Sequence, residues 1–287
     1  MVDRPNQSSS NSNDVIAYYE KTESRVGYDL LLHGTKHFGF YLPGESKWKF
    51  GRAMLNMTDK LGETLDIGEG SHLLDAGCGV GDVARRLAST RGYRVTGIDL
   101  LDFNIADAEK RAALQVLSPM PSFSVMDYSK LSFEDATFDG AYTMETLVHA
   151  NNPESVIEGF FRILKPGGQI VLFEYSHQPY EKMPPRAAYV FKEINRVAAM
   201  PAFDQFSYGT LVNIMGQAGF VDVKSEDISK NIWPMLHAFS LIATVPYQIS
   251  RLVGKTGKLP NAMSGAELWR YRNLWHYNII SGYKPSS

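Results

Sequence analysis

The chain has 287 residues, 44% of them apolar, enough for one elaborated α/β domain or for a core with a small cap. Its 29 Lys and Arg against 31 Asp and Glu leave a formal charge of −2, which gives no electrostatic case for a nucleic acid partner. The single cysteine, Cys78, excludes a disulfide framework, and the seven histidines show no HxxxH spacing, so no metal is expected.

Residues 1–13 are polar and rich in Ser and Asn, without the basic and apolar regions of a signal peptide, and read as a disordered tail. Residues 14–28 have helical periodicity. The segment 30–43, rich in aromatics and glycine, reads either as a lid or as packing for that helix. A helix over 48–65 leads into the informative stretch 71–88, SHLLDAGCGVGDVARRLA. There a short apolar strand ends at Asp75, Gly77, Gly79 and Gly81 follow at alternate positions, and Asp82 is placed to cap a helix. A dinucleotide loop would need its third glycine at position 82, so a diphosphate, and with it an NAD-dependent dehydrogenase, is disfavoured. The next strand, 93–98, ends at Asp99, near the offset at which an acid meets a ribose, so a nucleoside ligand survives.

A helix over 103–117 and a strand over 123–126 precede Asp127 and Tyr128. Residues 138–144 read as the fourth strand, and its exit carries Glu145 and His149, where functional groups of open α/β sheets collect. A helix over 154–164 is read as stopped by Lys165-Pro166-Gly167-Gly168, with a fifth strand over 169–175. Five strands with helices between them predict a parallel sheet covered on both faces. Beyond it come helices over 186–200 and 207–219, a strand over 220–224, and a last strand over 277–283. The apolar run 232–253 contains Pro234, His237, Pro246, Gln248 and Arg251, and reads as a capping helix pair rather than a membrane span.

The sequences LLDAGCGVGDVARRLA and VTGIDL resemble motif I and the following acidic strand end of class I S-adenosylmethionine (SAM)-dependent methyltransferases. Three further parts resemble the sterol and tocopherol C-methyltransferase group: residues 141–153 with the following helix and LKPGG, AGFVDVKSEDISKNIWPML at 218–236, and the terminal YNIISGYKP. The segment LHGTKHFGFYLPGE departs from the Tyr, Trp and Phe-dense segment of the sterol enzymes.

The resemblance implies a doubly wound, mostly parallel seven-stranded sheet in one domain over 14–287, with cap elements at 14–62, 176–206 and 227–276. It implies SAM as cofactor, with Asp75 and the loop of Gly77, Gly79 and Gly81 under its methionine part, Asp99 on the ribose hydroxyls and Asp127 on the adenine amino group, the alternative for Asp127 being a cap or turn; Leu100 and Tyr128 are further cofactor-binding residues. Glu145 and His149 are the expected catalytic pair, for stabilising a cation and accepting a proton. For Glu145 the alternative is a bond to backbone or to the SAM amino end; for His149 it is packing. His33, His37 and His276 are other bases, and Tyr18 and Tyr19 other residues that could close over the cofactor.

The expected reaction is methyl transfer to a hydrophobic small molecule, with carbon preferred as acceptor. O- or N-methylation and a non-catalytic SAM-binding scaffold are the alternatives. The partners expected are that small molecule and no nucleic acid, with peripheral membrane contact through 232–253 and a homodimer as further options; the location expected is cytoplasmic, with membrane association as an option.

Overall fold

The computed structural model describes residues 15–18, 34–252 and 260–286. The expected tail, His33, Tyr19 and most of the first helix lie outside the described residues; residues 15–18 are helical.

Five strands pair in parallel; the inner ones are largely apolar and buried, as strands sandwiched between helices should be, and the edge one, over 122–125, is partly exposed. They are β1 (His72–Ala76), β2 (Arg94–Asp99), β3 (Ser122–Val125), β4 (Phe138–Met144) and β5 (Leu164–His177). Two more strands, β6 (Val221–Asp227) and β7 (Trp275–Tyr283), complete a seven-stranded sheet of order β3-β2-β1-β4-β5-β7-β6. Only β7 runs antiparallel to its neighbours β5 and β6, so the doubly wound, mostly parallel sheet expected from the sequence is the one observed. Helices α1 (Phe50–Thr64), α2 (Asp82–Arg91), α3 (Asp102–Ala113), α4 (Pro153–Ile163) and α6 (Thr210–Gln217) precede or link the strands. Helices α5 (Pro185–Val197), α7 (Ser229–Leu252) and α8 (Pro260–Arg270) pack on one another as a cap. The main core, with Leu73, Leu74, Tyr142, Phe160 and Phe173 essentially inaccessible, lies between sheet and helices.

Three local expectations are corrected. Asp82 does not cap α2: Gly81, at φ +73°, takes the N-cap position, and the Asp82 carboxylate is drawn off to Arg85, Arg111 and the Thr35 hydroxyl. Residues 165–168 do not end α4 with a left-handed glycine cap. Leu164 is already extended and opens β5, and the four residues form an irregularity between the pairs Phe138 with Leu164 and Gly140 with Gln169. The apolar run is a single helix, α7, with Pro234 and Pro246 inside it, and its antiparallel companion is α8. An interior proline costs about 3 kcal/mol, and burial of Ile232, Met235, Leu236, Ala243 and Tyr247 offsets that cost here. Among the described residues no helix is long and apolar enough to cross a membrane.

Candidate active site

The strand order reverses between β1 and β4, and at such a switch point the loops diverge and leave a crevice at the carboxyl edge. A cavity of about 310 Å³ occupies it, lined among others by Asp75, Gly77, Gly79, Asp99, Leu100, Asp127, Tyr128, Glu145 and His149. Nine of the ten residues predicted to form the site therefore meet in one hollow. Gly81 is the exception: a Cβ there would lie 2.6 Å from the Phe123 ring, so this glycine serves helix packing and faces away from the cavity.

The loop after β1 owes its shape to two glycines with different duties. A Cβ on Gly77, at φ +88°, would fall 2.5 Å from the Thr146 methyl, so its bareness is a packing requirement. A Cβ on Gly79, at φ +53°, would meet nothing within 4 Å, which is the open approach that a ligand needs to reach the main chain. Asp99 ties this loop to β2. Its Oδ2 accepts the Gly79 N–H at 2.9 Å, and its Oδ1 accepts the Leu101 N–H and the Asn104 amide at 2.9 and 3.1 Å. A carboxylate offers about four lone-pair sites, so capacity remains for a ligand hydroxyl. Asp75 is buried, its Oδ2 lacks a hydrogen-bond partner among the described residues, and the Tyr142 hydroxyl stands beside it without a closed bond. Burial pushes its pKa up to about 7.

Asp127 accepts the Ser129 N–H at 2.8 Å through Oδ1, capping a short 3₁₀ turn, while the residue still lines the cavity. The Tyr128 hydroxyl is spent on the Thr146 carbonyl at 2.8 Å, so only its ring faces the hollow. Asp99 and Asp127 line the cavity with Lys36 and Lys130, while Asp82 is paired with Arg85 and Arg111, and Asp75 and Glu145 are raised to about 7 by burial.

A second cavity, of about 400 Å³, adjoins the first and is walled chiefly by apolar groups, among them Phe38, Tyr175, Met200, Phe203, Phe239, Leu268 and Trp275. Lys36, His37 and Glu145 line both cavities and so form the doorway between them. Their placement comes from a strap over 34–41. Thr35 bonds Asp82 at the start of α2, Lys36 bonds Asn104 of α3 at 3.2 Å, and the Phe38 N–H donates to Glu145 Oε1.

Glu145 follows β4 at φ +59°, a strained backbone for a non-glycine residue, held by the Thr146 hydroxyl bond to Ala76 and the Leu147 N–H bond to Glu174. Its carboxylate is almost fully engaged: Tyr277 donates to Oε1 at 2.8 Å and Tyr175 donates to Oε2, in addition to Phe38. Burial outweighs these three donors and raises its pKa to about 7. Behind it Glu174, buried and with Oε2 unpartnered among the described residues, is raised to about 8.

His149 lines only the first cavity, where Nδ1 donates to the Ala199 carbonyl at 2.7 Å and burial lowers its pKa. His37 is the histidine at the doorway. Its Nδ1 donates to the Phe38 carbonyl at 2.8 Å, which fixes the tautomer, and burial keeps the ring neutral with Nε2 as the acceptor nitrogen. His276, by contrast, is brought to neither cavity; it stacks on Tyr208 with Nδ1 3.7 Å from Asp227, because β7 turns that side chain outward. Tyr18 lines the apolar cavity, its hydroxyl on Asn261 at 2.8 Å, and does not close over the first. Thr35, Lys36 and Asn104, and the tyrosines that hold Glu145, escaped the sequence reading; Thr35 and Lys36 were signalled only by the odd aromatic and glycine density of 30–43, and Asn104, Tyr175 and Tyr277 by nothing local.

An open α/β sheet with a nucleoside-sized hollow at its switch point is the architecture of a Rossmann-like nucleotide- or nucleoside-binding domain. A family model described as a methyltransferase domain matches residues 74–172. The SAM-dependent Diels-Alderase iccD of Talaromyces variabilis is 38% identical over 278 residues, covering 94% of this chain and 94% of that protein. The sterol 24-C-methyltransferase ERG6 of Saccharomyces cerevisiae is 31% identical over 220 residues, covering 75% of this chain and 56% of that one. Among solved structures, the [4+2]-cyclase SpnF superposes with a TM-score of 0.71 at 22% identity, over 93% of this chain and 97% of that one, a likeness of fold. The chain belongs to the SAM-dependent methyltransferase family, as its motifs led one to expect, and SAM is its cofactor.

Proposed function

We propose that this protein holds SAM in the first cavity and closes a ring on an apolar polyene in the second. The observation that carries this reading is the doorway: an apolar chamber opens onto the cofactor cavity past a carboxylate already consumed by three protein donors. A [4+2] closure suits that chamber, because a diene and an alkene become a cyclohexene with no proton moved and no group lost. What the protein must supply is a folded conformation of the chain and exclusion of water. The rings of Phe38, Tyr175, Phe203, Phe239 and Trp275 would provide the mould. The 38% identity to a protein named as a Diels-Alderase, across nearly the whole of both chains, supports the same reading.

Asp99 and Leu100 would hold the ribose, Asp127 and the Tyr128 ring the adenine, and Asp75 with the Gly77 to Gly79 backbone the methionine part. SAM supplies, when bound, a sulfonium with a transferable methyl group and a fixed positive charge. Glu145 keeps the strap in place from the doorway, and His149 braces the segment at Ala199.

A second reading, methyl transfer to an oxygen or carbon of the same class of molecule, is favoured by His37. A neutral imidazole with Nε2 as acceptor at the doorway is suited to take a proton from a substrate hydroxyl.

One experiment separates the two. The protein is incubated with methyl-labelled SAM and a panel of linear polyenes, sterols and prenylated phenols, and products are resolved by mass spectrometry. An isomer of the substrate with SAM unconsumed supports ring closure. A product heavier by one CH₂ and carrying label establishes methyl transfer in its place, and no product across the panel would leave the scaffold role.

A further inference from the structure

The C-terminal half of helix α7 is apolar on its outer side as well as its inner one. Ala243 and Tyr247 are buried against the rest of the cap and Ser250 is buried too, while Leu241, Ile242, Val245, Ile249 and Leu252 are exposed, Val245 at 65% and Leu252 at 87%. Leu241, Val245, Ile249 and Leu252 recur at helical spacing on one side. The exposed residues between them, Thr244, Pro246 and Gln248, carry no charge. A contiguous apolar stripe of this kind on an outer face marks an interaction surface.

Three observations say what it meets. First, residues 228–266 contain no Asp or Glu but hold Lys230, Arg251, Lys255 and Lys258, so the stretch carrying the stripe is wholly cationic in a chain whose net charge is negative. Secondly, Trp48, 52% exposed with the Lys47 ammonium over its ring, packs edge-on to Phe50, which in turn meets Phe239 of α7 at 5.5 Å. An exposed tryptophan and lysine thus flank the stripe, the pair that settles at the level of lipid headgroups. The nearby acid, Glu45, is turned inward to the Leu42 N–H and the Asn56 amide. Thirdly, the exposed residues Ile242 and Pro246 also line the apolar cavity, so its mouth opens within the stripe.

We infer that α7 and Trp48 dock this protein on an anionic lipid surface, with the mouth of the apolar cavity facing the acyl chains. The helix would lie in the interface and not span it: its 24 residues carry two interior prolines and lack the sustained apolar run of a span. The docking is independent of the reaction proposed above; only the passage of substrate from lipid into the cavity rests on that reading.

The test is co-sedimentation of the full chain with vesicles of phosphatidylcholine, alone and with about 30 mol % phosphatidylserine. Binding is expected to the mixed vesicles, about ten-fold weaker on pure phosphatidylcholine or in high salt, since clustered Lys and Arg each add about 1 kcal/mol at such a surface. The double variant Val245→Glu/Ile249→Glu, and separately Trp48→Ala, should lose binding about ten-fold while thermal unfolding and SAM affinity stay unchanged. Equal partition of wild type and double variant, or no partition of either, overturns the inference. So does a wild-type dimer in sedimentation velocity that the double variant dissolves, which would assign the stripe to a second copy of the chain. None of these results bears on whether a ring closes or a methyl group moves.

Discussion

Replacing Glu145 probes both the doorway and the strap. Glu145→Ala removes the acceptor for the Phe38 N–H and for the Tyr175 and Tyr277 hydroxyls, three donors in buried surroundings. An orphaned buried donor costs about 1–3 kcal/mol, so the loss of three should be on the order of 3–9 kcal/mol, a large part of a stability that is typically about 5–15 kcal/mol. Glu145→Gln keeps the acceptor for Phe38 and Tyr277, and the Tyr175 hydroxyl can turn to accept from the new amide.

The two variants also differ in pH dependence. The folded pKa of Glu145, about 7, lies above its ordinary 4.5, so between those values the folded state holds the proton that the unfolded state has released. Wild-type stability therefore falls as pH rises through that window, by up to about 3 kcal/mol at about 1.36 kcal/mol per pH unit. Glutamine does not ionise, so Glu145→Gln should gain on wild type as pH rises from 5 to 8. Urea unfolding at several pH values measures both effects. An alanine variant within about 1 kcal/mol of wild type, or a Gln-minus-wild-type difference that does not change with pH, would refute the assignment of Glu145 as the buried clasp of the strap.

The other predictions concern the cofactor cavity and the doorway. Asp99→Ala should weaken SAM by about 1–3 kcal/mol in calorimetry; unchanged affinity would remove it from the ribose. Gly77→Ala should fail in folding, its Cβ being 2.5 Å from Thr146, whereas Gly79→Ala should fold with a penalty of about 1 kcal/mol for its positive φ and lose SAM. A Gly79→Ala protein that binds SAM normally would move the ligand off that loop. His37→Phe should spare ring closure but lower methyl transfer to a hydroxyl by about 100-fold or more; equal losses in both assays would make His37 a packing residue. Glu174→Gln should gain stability with rising pH up to about pH 8, in the same sense as Glu145→Gln, because its pKa is raised to about 8. A constant difference would show that Glu174 is not buried in its acid form.

The inner parallel strands β1, β2 and β4 were legible because each is a short run closed by an acid or glycine: β4 is the stretch 138–144 as read, whereas β5, with no such stop, extends past the expected 169–175 at both ends to Leu164–His177. The ends of the cap were not. In 232–253 two prolines outweigh the apolar pattern locally, and only tertiary burial of Ile232, Met235 and Tyr247 makes one helix of it. The site divides in the same way. Asp75, Gly79 and Asp99 declare themselves because strand, turn and acid are contiguous, whereas the doorway joins Lys36, Glu145, Tyr175 and Tyr277, residues whose meeting depends on register across β4, β5 and β7. Gly81 looked like its neighbours because spacing shows where a glycine stands, and not which surface its missing Cβ spares.

The strap is a party wall. Lys36, His37 and Glu145 belong to both chambers, so filling one compartment stiffens a boundary of the other, and the two affinities are thermodynamically tied in both directions. Enlarging the apolar chamber for a bulkier guest by cutting back this wall would thus change how tightly the nucleoside is held next door, whereas trimming Ile194 or Leu268, which line only the apolar chamber, would leave it alone.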